Sequence, residues 1–221
     1  MSSAPTRTRA DAKRDAQRRT RLMYAAIGLA VVVFAVLLAV LSTREQANAV
    51  TVEEFAGRPS ITGDALPPAL EDPASDPMLG APVPLVEGSD LTGAAQRIGD
   101  GEGPELEMFV ASWCPACQQE LPEVVSWMDE GGLPVEVELT AVVTGLDSSR
   151  PNWPPDAWLT EEGYTGEVLV DDAEGSVAQA YGLTGTPFWV ALNDDGEVVA
   201  RIAGLLDTTQ MTALAEAAIA N

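Results

Sequence analysis

The sequence predicts one α/β domain, a mixed sheet with helices on both faces, behind a single N-terminal transmembrane helix. Three observations predict it. Leu22 to Leu41 is an uninterrupted stretch of 20 residues without charge or proline, matching the ~20 residues a helix needs to cross a hydrocarbon core. Further on, apolar runs and helical periods follow the order strand–helix–strand–helix, then helix–strand–strand–helix. A right-handed crossover then joins parallel strands in the first half, and an antiparallel hairpin closes the second. Lastly, the only two cysteines, Cys114 and Cys117, fall at one strand-to-helix junction.

Residues 1–21 form a basic tail, with Arg7, Arg9, Lys13, Arg14, Arg18, Arg19 and Arg21 against Asp11 and Asp15. The positive-inside rule keeps this tail cytoplasmic and sends the rest across the membrane. Ala47-Asn48-Ala49 has the small-x-small form of a signal cleavage site, so cleavage after Ala49 is the alternative to a retained anchor over 22–41. The apolar stretch is longer than the roughly 7–15 residues of a cleaved signal, which favours the anchor. No lipobox cysteine is present, since both cysteines lie far downstream.

Beyond residue 41 the composition inverts. Five arginines stand against 32 acidic residues, a net −27, which excludes charge-driven binding of nucleic acid or anionic lipid. Solubility accounts for such a surface, and a basic protein partner is the sharper alternative. Residues 42–77 read as an extracytoplasmic linker, with Pro59, Pro67, Pro68, Pro73 and Pro77 interleaved with acids and no sustained period. A short strand near Thr51–Phe55 stays open. The folded domain is expected over 78–221.

Within it, Pro82 to Val86 reads as an edge strand, where proline is tolerated. Residues 105–112 form an apolar strand. A helix over 115–130 follows, on the spacing of Leu121, Val124, Val125 and Met128, interrupted by Pro122 and stopped by Gly131-Gly132. Val135 to Val143 becomes continuously apolar, as a buried strand does. Asn152 to Asp156 opens a short helix that ends by Gly163, and Val168–Val170 is a brief strand. Asp172 is positioned to cap a helix over Ala173–Tyr181, which Gly182 closes. Phe188–Leu192 and Glu197–Ala203 flank Asn193-Asp194-Asp195-Gly196, a hairpin signal. Asp207 with Gln210 makes a capping box for a last helix whose inner face is Met211, Leu214, Ala215 and Ala218.

The junction carries the chemistry. Trp113-Cys114-Pro115-Ala116-Cys117 puts Cys114 at a helix N-terminus, where unpaired N–H groups and the macrodipole favour thiolate over thiol. Cys117 lies one turn on, placed to attack a mixed disulfide formed on Cys114. A structural disulfide closing so small a loop would remove little chain entropy. A zinc site would need two more soft ligands, and the chain has no His and no other Cys. No metal or organic cofactor is required. In an oxidising compartment the pair would form a disulfide unaided, so a catalytic role requires a redox partner that resets it.

These residues, with Tyr181-Gly182-Leu183-Thr184-Gly185-Thr186-Pro187, resemble the thioredoxin fold. More narrowly, about residues 78–221 resemble membrane-anchored, extracytoplasmic thiol–disulfide oxidoreductases of the TlpA/ResA type, including the cytochrome c maturation members. The resemblance implies that Pro187 is cis and faces the cysteines, and that the exposed backbone of Thr186 pairs with a substrate chain as an added strand. It also implies an acid near the dithiol, a place filled by Glu120, three residues after Cys117 and on the same helix face. There Glu120 is positioned to relay the resolving proton; a solvated surface glutamate is the plainer reading. One departure stands out: where thioredoxins proper carry a buried acid six residues before the first cysteine, this chain has Met108. Trp113 is expected to line the site. Trp153 and Trp158, in a segment inserted relative to plain thioredoxin, are expected in the core, with a groove-lining role as the alternative.

The expected activity is thiol–disulfide exchange on protein clients with thiols or disulfides, reset by a membrane redox partner. By analogy with the family the direction is reductive. A disulfide-introducing oxidase is the first rival, and a non-enzymatic assembly factor that binds clients around Thr186 and Pro187 is the second. A copper chaperone is disfavoured by the absence of histidine.

Overall fold

The structure, a computed structural model, describes residues 50–220 together with Met23 and residues 27–29 and 31–36. The chain divides into two units, Met1–Ala49 and Val50–Asn221. In the first, the described residues are helical and exposed. Among the described residues no helix is long and apolar enough to cross a membrane. The expected basic tail, most of the 22–41 span and the Ala47–Ala49 sequence lie outside the described residues.

In the second unit the chain opens on one helical turn, Val52–Phe55 (α1), rather than a strand. Thr51 and Glu54 form a reciprocal capping box there, which satisfies two helix-end donors in a segment too short for a ladder. Ser60–Thr62 (β1), Leu85–Ser89 (β2) and Ala95–Ile98 (β3) then build a three-stranded antiparallel sheet in the order β1-β2-β3. This corrects the expected edge strand: β2 is the middle strand, and it begins only after Pro84, so neither proline removes a ladder donor.

The main sheet starts with Glu105–Val110 (β4), every residue of which is buried. Pro115–Asp129 (α2) follows, with Pro122 inside it and a left-handed Gly131 just past its end. Glu138–Val143 (β5) begins three residues later than expected, because Pro134–Val137 turn instead and leave Val135 98% exposed. Pro155–Glu161 (α3) and Glu167–Val170 (β6) come next. Ser176–Ala180 (α4) is shorter than expected, and its cap is different. Asp171 accepts from the N–H groups of Val177 and Ala178, while Asp172 reaches only Ser176. Phe188–Leu192 (β7), Val198–Ala203 (β8) and Thr208–Ala220 (α5) complete the chain, the last opened by the Asp207–Gln210 capping box.

The five strands lie in the order β6-β5-β4-β7-β8, with β4, β5 and β6 parallel and β7 and β8 antiparallel. On one face Leu106, Met108 and Val110 pack against α2, α3 and α5, including Leu121, Trp158 and Met211. On the other, Phe109, Val142 and Leu169 pack against α4 and the three-stranded sheet, including Val177, Val86 and Ile98. The helices are thus on both faces, but a second sheet shares the covering of one of them.

Residues 50–77, expected as linker, are held to this core. The N–H groups of Gly57, Leu66 and Ala69 donate to the carbonyls of Asp171, Ala180 and Gly182. Asp76 and Arg201 form a bidentate ion pair, both contacts 2.8 Å, with both side chains wholly buried. Arg201 also donates to the carbonyls of Pro67 and Tyr181. A Cβ at Gly57 would strike the Val170 carbonyl, and one at Gly182 would strike the Pro67 carbonyl, so both glycines allow the close approach of this strap. The prolines that suggested a tether instead fix its path across the surface.

The face of β4 that carries Phe109 also carries Glu105 and Glu107. Glu107 is fully buried and neither of its oxygens has a hydrogen-bond partner. Burial, then the charge of neighbouring Glu105, holds its carboxyl well above the usual range. The folded state therefore keeps a proton that the unfolded state releases. Stability from this group is complete below the unfolded value of about 4.3 and is lost by about 1.4 kcal/mol per pH unit above it, until the folded value is reached. Glu107→Gln removes that slope. Relative to wild type it should gain stability as pH rises above about 4.5, read by urea unfolding. An identical pH dependence in both proteins would show that Glu107 does not hold the proton.

Candidate active site

The site lies where β4 runs into α2. Ala111 accepts from the Cys114 N–H at 2.9 Å, and Cys114 is the N-cap of the helix with Pro115 at its first position. Proline lacks the donor that would be orphaned there, so the helix starts without a side-chain cap. Cys114 is 7% exposed and Cys117 is buried; the two thiols are unbridged.

Facing them is the loop ahead of β7. The Thr186–Pro187 bond is cis, and the Cys114 thiol donates to the Thr186 carbonyl at 3.3 Å. The Thr186 N–H has no partner among the described residues, which leaves that edge of the loop open. Carbonyl acceptance favours the neutral thiol, so this bond is surrendered when the thiolate forms. Burial also pushes the Cys114 thiol up. Hydrogen bonding from the Thr186 side chain, then from Cys117 and the Ala116 N–H, outweighs both and leaves the thiol below its ordinary value. Cys117 goes the other way: burial first, then proximity to Cys114, pushes it up to about 12. The two thiols are thus unlike: Cys114 ionises the more readily, and Cys117 is held protonated.

Glu120 is no solvated glutamate. It is 2% exposed, accepts from the Leu206 N–H, 2.6 Å from Oε1, and receives the Trp189 indole N–H at 3.2 and 3.3 Å. Burial raises its carboxyl to about 7, against the lowering effect of those two donors. An open pocket of about 390 Å³, lined by Gln119, Glu123, Leu205 and Asp207, reaches it from solvent. Glu120 therefore changes charge near neutrality with a path for its proton, the condition for acid–base work at pH 7. Met108 occupies the strand position six residues before Cys114 as fully buried core; the buried acids of β4 lie on the opposite face.

Trp113 is half-buried, and its indole N–H donates to Gly145 at 2.7 Å. Gln118 and Asn152 both donate to the Ser112 carbonyl, at 2.8 and 3.1 Å. These contacts bind the segment around 145–152 to the residues just before Cys114. Trp158 is core, as expected. Trp153 is neither core nor groove: it packs edge-on to Phe55, 5.3 Å between centroids, and donates to the Val50 carbonyl. Sequence reasoning missed Trp189, whose role follows only from its register opposite Met108. It also missed Arg150, whose guanidinium lies 4.6 Å above the Trp113 ring.

A thioredoxin-like domain family matches residues 94–219. The Thiol:disulfide interchange protein DsbE homolog of Paracoccus denitrificans is 31% identical over 157 residues, 69% of this chain and 81% of that protein. The Thiol:disulfide interchange protein DsbE of Pseudomonas aeruginosa is 24% identical over 141 residues, 62% of this chain and 73% of that protein. Among solved structures, StoA from Bacillus subtilis has the same fold at a TM-score of 0.51 and 24% identity, over 61% of this chain and 98% of that one.

Proposed function

The chain belongs to the thioredoxin-like family of thiol–disulfide oxidoreductases, and from that premise we propose that Cys114 and Cys117 are its exchanging dithiol, acting reductively on protein clients outside the membrane. The observation that carries the assignment is Cys114 at the start of α2 with its sulfur against the Thr186 carbonyl, beside cis Pro187. The Cys114 thiolate attacks one sulfur of a client disulfide. That S–S bond breaks, a Cys114–client bond forms, and the released client thiolate takes a proton. Cys117 then gives its proton to Glu120 or water and attacks the Cys114 sulfur. The second client thiol leaves with the electron pair, and the Cys114–Cys117 disulfide remains. Thr186 offers its free backbone edge to the client strand, with Trp113 and Pro187 beside it. A second, membrane redox protein returns two electrons to reset the pair.

The anchor belongs to this reading. The 20 uncharged residues over 22–41, with seven basic residues against two acidic ones ahead of them, support a single span with the basic tail cytoplasmic. The relatives named thiol:disulfide interchange proteins support exchange chemistry; the reductive direction and cytochrome c maturation clients come from the family that the sequence resembles.

The test is the reduction potential of the detergent-solubilised protein in thiol/disulfide buffers. A value near the ~−270 mV of thioredoxin is expected, and one nearer the ~−120 mV of a strong oxidant would assign the protein to disulfide donation instead. No reversible transition would leave only client binding. A further measurement isolates Glu120. In wild type the resolving step should inflect near pH 7, and Glu120→Gln should slow it roughly tenfold and abolish the inflection. An unchanged inflection in Glu120→Gln would take the proton relay away from this residue.

A further inference from the structure

Positive charge is scarce in this domain, and its placement is uneven. Among the described residues Arg201 is buried against Asp76. Arg97 lies 3.6–3.9 Å from Glu87, Asp100 and Glu102. Arg58 lines a cleft shared with Glu53, Glu54 and Glu87. Arg150 alone stands beside the dithiol. Its guanidinium lies over the ring of Trp113, the residue before Cys114, with Cζ 4.6 Å from the ring centroid.

The segment that brings it there is held deliberately. Trp113 bonds Gly145, and Asn152, at a left-handed φ of 58°, bonds Ser112. A non-glycine residue in that conformation persists only where its surroundings hold it. Arg150 has one charged neighbour, Asp147, whose carboxylate lies 3.5 Å from Nε; both side chains are about half exposed, at 53% and 43%. Such a pair is screened and readily exchanged. No hydrogen bond from a terminal nitrogen of Arg150 is made among the described residues. Contact with the indole face holds the guanidinium beside the site, and its N–H fork is suited to a bidentate carboxylate.

We propose that Arg150 is a specificity residue that binds an acidic side chain flanking the client's disulfide. On a surface of net −27 an acidic client is otherwise repelled, so the contact selects for a carboxylate at one register rather than for acidic proteins in general. This rests on the dithiol reading, which supplies the client and places it over Cys114.

The experiment uses the reduced full chain in detergent and two disulfide-linked peptides that differ only in Glu or Gln beside the cysteine. Wild type should reduce the Glu peptide about fivefold faster at low salt, with the preference erased at high salt. Arg150→Gln should reverse the preference, and Arg150→Lys should keep part of it, since lysine retains the charge without the fork. A Glu-to-Gln ratio unchanged in Arg150→Gln, or equal losses on both peptides, would overturn the proposal and leave Arg150 as a prop for Trp113. If wild type reduced neither peptide faster than Cys114→Ser, the dithiol reading itself would fail.

Discussion

Cys114→Ser is expected to reduce exchange with a disulfide client to the uncatalysed background, a loss of roughly a thousandfold or more. Cys117→Ser should instead accumulate the client as a stable mixed disulfide on Cys114. The asymmetry follows from the two environments. Cys114 caps α2 with its thiol held below the ordinary value, whereas Cys117 is buried in the first turn with its thiol pushed up to about 12. On the proposed reading the first is the more readily ionised when the client arrives, and the second lies one turn behind it to displace the client. Non-reducing electrophoresis with mass spectrometry of the trapped species reads both outcomes. A covalent client adduct on Cys117 in the Cys114→Ser protein would invert the roles.

Asp76→Ala should destabilise the folded domain by about 3–5 kcal/mol, because it strands a buried guanidinium rather than removing a contact. Arg201 is wholly buried and spends Nε and Nη2 on Asp76; its other two bonds, to the Pro67 and Tyr181 carbonyls, do not neutralise it. Chemical unfolding should show the midpoint falling, with thermal melting lower by on the order of 10 °C. Burial pushes the Asp76 carboxyl up, but bonding to Arg201, then the Met78 N–H and the Arg201 charge, leave it below the ordinary value. The pair therefore contributes fully above the unfolded value of about 3.9, and that contribution is lost as pH falls through the lower folded value. A variant as stable as wild type at pH 7 would mean that the strap is not anchored through this pair.

The site was legible to the extent that it is local. Cys114 and Cys117 are separated by two residues, and the helix that presents them announces itself through the apolar spacing that follows. The hairpin turn at 193–196 and the Asp207–Gln210 box are likewise written within a few residues. What escaped detection depends on distant partners. Asp76 and Arg201 are 125 residues apart, so nothing near either one signals the pair, and the prolines around Asp76 suggested a tether. Glu107 fell within a strand read as apolar, but nothing marked it as a buried acid, since its burial depends on a second sheet whose short strands, such as Ala95–Ile98, carry little apolar signal. The turn at Thr51–Glu54 is the exception: its capping box was readable, and the β-branched residues beside it pulled the reading towards strand.

The five tryptophans of the chain occupy separate surroundings, and two of them touch the site through different groups. Trp113 adjoins Cys114 in sequence and lies beneath a guanidinium, and Trp189 donates to the carboxyl of Glu120. In optical terms the protein carries two built-in reporters. With Trp127, Trp153 and Trp158 replaced by phenylalanine, emission from Trp113 would follow electrons arriving at Cys114, while the near-ultraviolet band of Trp189 would follow the proton on Glu120. The two halves of the exchange reaction could then be timed separately in a single unlabelled sample.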